Sequence, residues 1–246
     1  MNPQSPAMNN PRVAPIERGA AWLLEGFGYF QKDALTWIGV IVLLFAICVA
    51  LAFVPFIGSL ATNLLMPVFM AGLILGCHAQ AQGEQFTVNH LFAGFSKNTE
   101  QLIILGVINL LAIIVIIFIV AIIIIVIAVG TGSLADIQSG NPEVIMNNIM
   151  LILLAVLIVL ALYIPVLMAY WFAPALVVLN DIAPMEALKL SFKACLVNIL
   201  PFTLYGIVGL VLLIIAAIPM ALGFLVLGPM ITASIYISYR EILAAQ

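Results

Sequence analysis

Apolar residues fall into four long blocks set apart by short polar stretches. No Asp, Glu, Lys or Arg occurs in Ala34–Gly83, Gln101–Ala135, Val144–Asn180 or Ala194–Tyr239. A membrane-crossing helix needs about 20 apolar residues. The first and last blocks are therefore long enough for two crossings each, and the middle two for one each. Pro55 and Gly58 mark the turn within the first block, and Pro219 and Gly223 the turn within the last. The pattern predicts six spans, at about 35–53, 60–79, 102–129, 147–171, 199–217 and 221–239.

The purest block is Leu102–Val129. Its centre, Ile113–Ile127, is Ile or Val except at Phe118 and Ala121. By propensity that run reads as a strand, but strands seldom exceed about ten residues. A lone strand in hydrocarbon also leaves its backbone N–H and C=O groups unpaired, whereas a helix pairs them internally. A helix is predicted, long enough to tilt or to emerge from the bilayer at one end.

Amphipathic stretches precede the odd-numbered spans. In Ile16–Asp33, Leu23, Phe27 and Phe30 share one face and Arg18, Glu25 and Lys32 another, as in a helix lying in the membrane interface or packed under the bundle. Val88, Leu91 and Phe95 form the second such face, opposed by Asn89 and Lys97. Met185, Leu188, Phe192 and Cys195 form the third, beside Lys189 and Lys193. Pro184 suits the first position of that helix and Glu186 its first turn. A threefold pattern runs through the chain. Pro67, Pro165 and Pro229 each open a Pro-x-x-x-Ala motif in an even-numbered span, and Gly26-Phe27, Gly94-Phe95 and Ser191-Phe192 each precede an odd-numbered one. The predicted fold is all-α and polytopic, with six transmembrane helices in three hairpins, each preceded by an amphipathic interfacial helix.

Charge placement sets the threading. With six spans, Arg12, Arg18, Lys32, Lys97, Lys189, Lys193 and Arg240 all lie on one side, and the opposite loops carry only Asp136 and Glu143. Basic loops stay in the cytoplasm, so both termini are expected there. The organisation is a disordered cytoplasmic tail at 1–15, a single transmembrane domain at 16–242 and a short cytoplasmic tail at 243–246. Of the 246 residues, 66% are hydrophobic and 7% charged, against about 45–50% and about 25% in soluble domains. That composition excludes a soluble fold.

Chemistry is sparse. No paired carboxylates, Ser/His/Asp set, phosphate-cradling glycine loop or zinc-protease motif occurs. The residues best suited to a metal are Cys77, His78 and His90, but neighbours on a helix point about 100° apart and do not easily share one ion. No enzyme, metal site or cofactor is expected. No span carries an ionisable group away from its ends, which argues against a proton-coupled carrier. Asn109, the most deeply placed polar residue, suits a hydrogen bond between helices. Gly72 with Gly76, and Ser234 with Ser238, form small-residue faces for close helix packing; Gly206 and Gly209 offer a similar pair. Trp22, Trp37 and Trp171 fall near span boundaries, as in an aromatic belt.

The motifs Gly26-Phe27-x-x-Phe30, Leu91-Phe92-x-Gly94-Phe95, Pro174-Ala175-Leu176-Val177, Ala187-Leu188-x-x-Ser191-Phe192 and Tyr236-x-x-Tyr239 span nearly all of residues 20–242. In these the chain resembles uncharacterised six-span inner-membrane proteins of proteobacteria, distantly similar to the YciC type and to the membrane domain of some glycerophosphodiester phosphodiesterases. The resemblance implies a fold and a bacterial inner-membrane location. It brings no catalytic residue, and the phosphodiesterase domain is absent. The expected role is non-enzymatic: binding or passing a lipid-like or apolar molecule, or supporting envelope homeostasis. A scaffold for another membrane protein and a small-solute or metal permease are the alternatives. The expected partners are the bilayer, anionic lipid headgroups near Lys97, Lys189 and Lys193, and a second copy or another membrane protein; no nucleic acid is expected.

Overall fold

A computed structural model describes residues 10–131 and 149–244. Among them the regular structure is helical, with no strand. The helices are α1 (Arg18–Lys32), α2 (Ala34–Ala52), α3 (Ile57–Ala81), α4 (His90–Ala93), α5 (Thr99–Thr131), α6 (Ile149–Trp171), α7 (Ala173–Asn180), α8 (Pro184–Val197), α9 (Ile199–Ala217) and α10 (Phe224–Ile242). The chain forms two compact units, one of residues 1–107 and 168–246, the other of residues 108–167. The second unit holds the Ile/Val-rich part of α5 and most of α6. Its described side chains are largely exposed, as suits a helix surface wetted by lipid. From residue 132 on, the expected Gly130–Ile145 loop lies outside the described residues.

Among the described residues, five stretches are long and apolar enough to cross a membrane: Ala34–Ala52, Ile57–Ala81, Thr99–Val126, Leu153–Asn180 and Ile199–Ala217. The sixth expected span coincides with α10, which is not among them. From its middle onward it carries Thr232, Ser234, Tyr236, Ser238 and Tyr239, and Arg240 and Glu241 lie in its last turn. Those five uncharged polar residues are buried within the protein. α10 is the central helix of the first unit, with α1, α2, α3 and α9 packed on it.

Two tight turns build this packing. At Pro55-Phe56, Phe56 takes φ 59° and Gly58 presses on the backbone of Leu51. After Pro219, Met220 and Ala221 take φ 53° and 67° and Gly223 presses on Ala216. Neither glycine has room for a Cβ.

The amphipathic preludes are present, but their buried faces match the apolar pattern only in part: Leu23, Phe30, Leu91 and Cys195 are buried and the other bulky members are not. α1 buries Gly19, Trp22, Leu23, Gly26 and Phe30 while Phe27 stays exposed. Gly19 meets the backbone of Pro201 and Tyr205 in α9, and Gly26 that of Met230 and Ser234 in α10. Rather than resting on lipid alone, α1 is seated on the bundle. The second prelude is a single turn, α4, with Leu91 buried and Val88 and Phe95 exposed. In α8 the small residues Ala187, Ser191 and Ala194 and the thiol of Cys195 face inward, and Met185 and Phe192 are exposed. Backbone proximity decides which face docks: small residues admit a neighbouring helix and bulky ones do not.

The tail also differs from expectation. Residues 10–15 are held in place. Arg12 N donates to Ile242 O at 3.0 Å. The fully buried Asn198 accepts from Ala14 N at 2.7 Å and donates to Arg12 O at 2.9 Å. The remainder of that tail, 1–9, lies outside the described residues, as do 245–246.

Candidate functional site

The C-terminal ends of α3 and α10 meet beneath α1, and a group of polar and charged side chains gathers there. His78, in the last turn of α3, receives the Gln82 amide N–H on Nε2 at 3.0 Å, which leaves its Nδ1–H for the Tyr236 hydroxyl at 3.0 Å. Tyr29 of α1 stands edge-on to Tyr236 with centroids 6.2 Å apart. Lys32 Nζ lies 5.1 Å over the Tyr29 ring, and the Arg240 guanidinium 5.9 Å over Tyr236. Arg240 also acts on Tyr29, and the charges of Arg240, Lys97 and Glu84 all act on His78. Burial raises the Tyr29 phenol above its ordinary value and keeps it a neutral O–H donor. Gln80 donates to Tyr29 O at 3.1 Å and leaves its own Oε1 buried without a partner.

Around this cluster polar side chains tie the helix ends together. Tyr239 OH donates to Asn180 Oδ1 at the end of α7. Asn98 donates to Val177 O at 2.7 Å and to Asp181 Oδ1 at 2.8 Å. Asn98 and Asp181 are both in the left-handed region, at φ 56° and 57°, which Asn and Asp tolerate better than most residues.

A second constellation ties the N-terminal helix to the C-terminal one. Arg18 Nε lies 2.9 Å from both Glu241 oxygens, Arg18 Nη2 2.6 Å from Oε2, and Trp22 Nε1 donates to Oε2 at 2.9 Å. Arg18 Nη1 reaches Glu25 at 2.7 Å. The Arg18 guanidinium is held above its ordinary value by the Glu241 and Glu25 hydrogen bonds. Partial burial pushes the Glu241 carboxyl up, but the hydrogen bonds from Arg18 and Trp22 outweigh it and hold it below its ordinary value. With its oxygens engaged in this way, Glu241 is arranged as a clasp rather than as an acid or base.

The residues singled out from sequence are placed as follows. Pro67 and Pro229 are buried in α3 and α10, and Pro165 is exposed in α6. Gly72 meets the His90 and Leu91 carbonyls and Gly76 the Phe86 ring, so this small-residue face receives the α4 segment. Ser234 lies against Gly26 and shares a 2.8 Å hydrogen bond with the Tyr205 hydroxyl; Ser238 returns its hydroxyl to Ser234 O at 2.8 Å. Gly206 and Gly209 face open space, with nothing among the described residues within reach of a Cβ. Asn109 is half-buried on α5, with no hydrogen bond to another helix among the described residues. Lys97 and Lys189 are exposed; Lys193, also exposed, reaches Asn10 Oδ1 at 3.3 Å. Trp22 and Trp37 are fully buried, Trp37 stacked on Phe86 at 3.9 Å, so they act inside the protein rather than in an aromatic belt. Cys195 is buried and its thiol pushed up to about 12, leaving it a packing residue. Among the described residues no three His, Cys, Asp or Glu side chains gather as a metal would need.

Sequence reading passed over Tyr29, Lys32, Tyr236 and Arg240 as a group. The signal was present: Tyr29-x-x-Lys32 and Tyr236-x-x-x-Arg240 are aromatic–cation pairs at helical spacing, each beside the edge of a charge-free block.

The chain is 28% identical to a protein of Burkholderia thailandensis named as a probable inner membrane protein, in a match covering 90% of this chain and 87% of that one. No family model matches the chain. No solved structure matches it either. The apolar helices and this likeness together make the chain an integral membrane protein.

Proposed function

We propose that the chain is a non-enzymatic, six-span inner-membrane protein of the YciC-like type, with both termini in the cytoplasm, that binds a lipid-like molecule at its cytoplasmic face. Counting α10 as the sixth span puts every Lys and Arg on one side. The observation that carries the reading is the meeting of His78, Tyr236, Arg240, Tyr29 and Lys32 at one end of α3 and α10, with α1 laid across it. This cationic, aromatic layer adjoins exposed apolar helix surface, the combination that suits a molecule with a charged head and an apolar body. Around it Tyr239 is engaged by Asn180, and Asn98 by Val177 O and Asp181, so the layer is held by a fixed polar frame.

Two measurements test this. A periplasmic reporter fused within 130–145 is expected to be active and a cytoplasmic one silent; the reverse overturns the threading. Lipid extracted from the purified protein is expected to be enriched over an unrelated six-span protein prepared alike. No enrichment, with unchanged membrane lipid composition on deletion, overturns lipid binding.

A further inference from the structure

We propose that Lys32, Lys97 and Arg240 form a binding site for the phosphate of an anionic phospholipid headgroup, placed beside the Tyr29–Tyr236 pair. The proposal rests on the lipid-binding reading above and narrows it to a ligand class and three residues. The cations come from three separate parts of the chain: α1, the segment ahead of α5, and α10. Lys32 lies over Tyr29, Arg240 acts on Tyr29, Tyr236 and His78, and Lys97 acts on His78. Among the described residues none of the three makes an ion pair with a carboxylate, whereas Arg18 is clasped by two. The acidic groups acting on the cluster are Glu84, at His78, and Glu25, at Tyr29, and Glu25 is engaged by Arg18. Three cations set against the one carboxylate of Glu84 repel one another, and a shared anion removes that repulsion.

The surroundings favour a lipid over a free anion. Lys97 follows Phe92 and Phe95, which flank Phe69 with centroids 6.3 and 5.3 Å away and are both exposed. That is an apolar platform within a few residues of a phosphate-binding cation. Arg240 is the first charge after the block ending at Tyr239, and His78 lies near the end of the block closing at Gly83. Both therefore lie where acyl chains give way to headgroups.

The test is native mass spectrometry of the delipidated full chain from mixed micelles of phosphatidylglycerol or phosphatidylcholine, with and without inorganic phosphate. The wild type is expected to retain phosphatidylglycerol preferentially. Removing the charges as Lys32→Gln, Lys97→Gln and Arg240→Gln should weaken that binding by roughly fivefold per charge, with phosphatidylcholine unaffected. Glu84→Gln should strengthen phosphatidylglycerol binding, a gain that misfolding cannot imitate, and the exposed Lys97→Gln alone serves if the triple variant does not fold. A wild type that prefers phosphatidylglycerol while Lys97→Gln and Glu84→Gln leave the preference unmoved overturns this site and leaves the wider reading standing. A wild type that retains no lipid overturns both. Displacement of phosphatidylglycerol by millimolar inorganic phosphate overturns the lipid assignment in favour of a soluble anion.

Discussion

Gly26 of α1 sits directly on the carbonyl of Met230 in α10, with Ser234 N 3.1 Å from where a Cβ would stand. Gly94 repeats the relationship on Val68 in α3, with Gly72 N 3.2 Å from the equivalent point. Met230 and Val68 each follow the proline of a Pro-x-x-x-Ala motif, and Ser234 and Gly72 each lie five residues after it. Ser191 occupies the third place differently. Its hydroxyl accepts from Phe172 N at 2.9 Å and donates to Met168 O at 2.7 Å, just beyond Pro165. The segment around α4 thus packs on the proline helix that comes before it and α1 on the last one, while Ser191 reaches only the end of α6 through its hydroxyl. The repeat is a contact between a small residue and a helix backbone.

That relationship yields the first prediction. Gly26→Ala and Gly94→Ala force a methyl group into a backbone carbonyl, and each should destabilise by about 1–3 kcal/mol, the usual cost of overpacking. Gly28 has open space at its Cβ position. Gly28→Ala should be neutral or stabilise by up to about 1 kcal/mol through helix propensity. Thermal melting in detergent separates them, and equal melting temperatures for Gly26→Ala and Gly28→Ala would remove the contact.

The second concerns the N-terminal segment. Asn198 holds Ala14 N and Arg12 O and also bonds Ala194 O at 2.9 Å. Asn198→Ala strands a buried Ala14 N–H and should cost about 1–3 kcal/mol. Because Arg12 is exposed, the local signature is faster trypsin cleavage after Arg12. Cleavage at the wild-type rate would mean that the clamp does not hold the segment.

How far the sequence reached can be traced through these residues. Long apolar helices at five of the six expected span positions were legible because a charge-free block in a bilayer has one cheap solution, the helix, and Leu102–Val129 falls inside α5. Direction of packing was not. Hydropathy ranks Phe27 above Gly26 as an inward residue, yet two helices in lipid gain little from burying one more apolar ring, and close backbone approach decides instead. α7 was hidden for the opposite reason: Ala173–Val178 is wholly buried, but its apolar run continues the fourth block without a break in pattern. The tail residues 10–15 read as disordered from composition, since their partners, Asn198 and Ile242, are remote in sequence. The His78–Tyr236–Arg240 cluster was half visible, as helical pairs within α10 but not across helices.

The third prediction is at Ser191. Its hydroxyl stands in for the helix hydrogen bond that would otherwise join Phe172 N to Met168 O where α6 gives way to α7. Ser191→Ala leaves a buried N–H unpaired at about 1–3 kcal/mol, unless the α6–α7 break closes into a continuous helix. Amide exchange at Phe172 distinguishes the two: faster exchange with lower stability follows from the intact break, slower exchange from its closure. Exchange unchanged from wild type would contradict the hydroxyl bridge.

The fourth prediction is a pH dependence at Glu241. Its carboxyl is held below its ordinary value in the folded protein, so folding favours the ionised form. The stabilisation is complete above the ordinary carboxyl value and is lost as pH falls through the folded one. Glu241→Gln removes the charge throughout. At pH 7 the variant should be less stable than wild type by about 1.5 kcal/mol, the low end for a hydrogen bond to a charged group, because 31% of the Glu241 side chain remains exposed. The gap should narrow steadily as the pH is taken from 5 towards 3. A difference in melting temperature that stays constant over that range would show that the Arg18–Trp22–Glu241 clasp contributes through shape and not through charge.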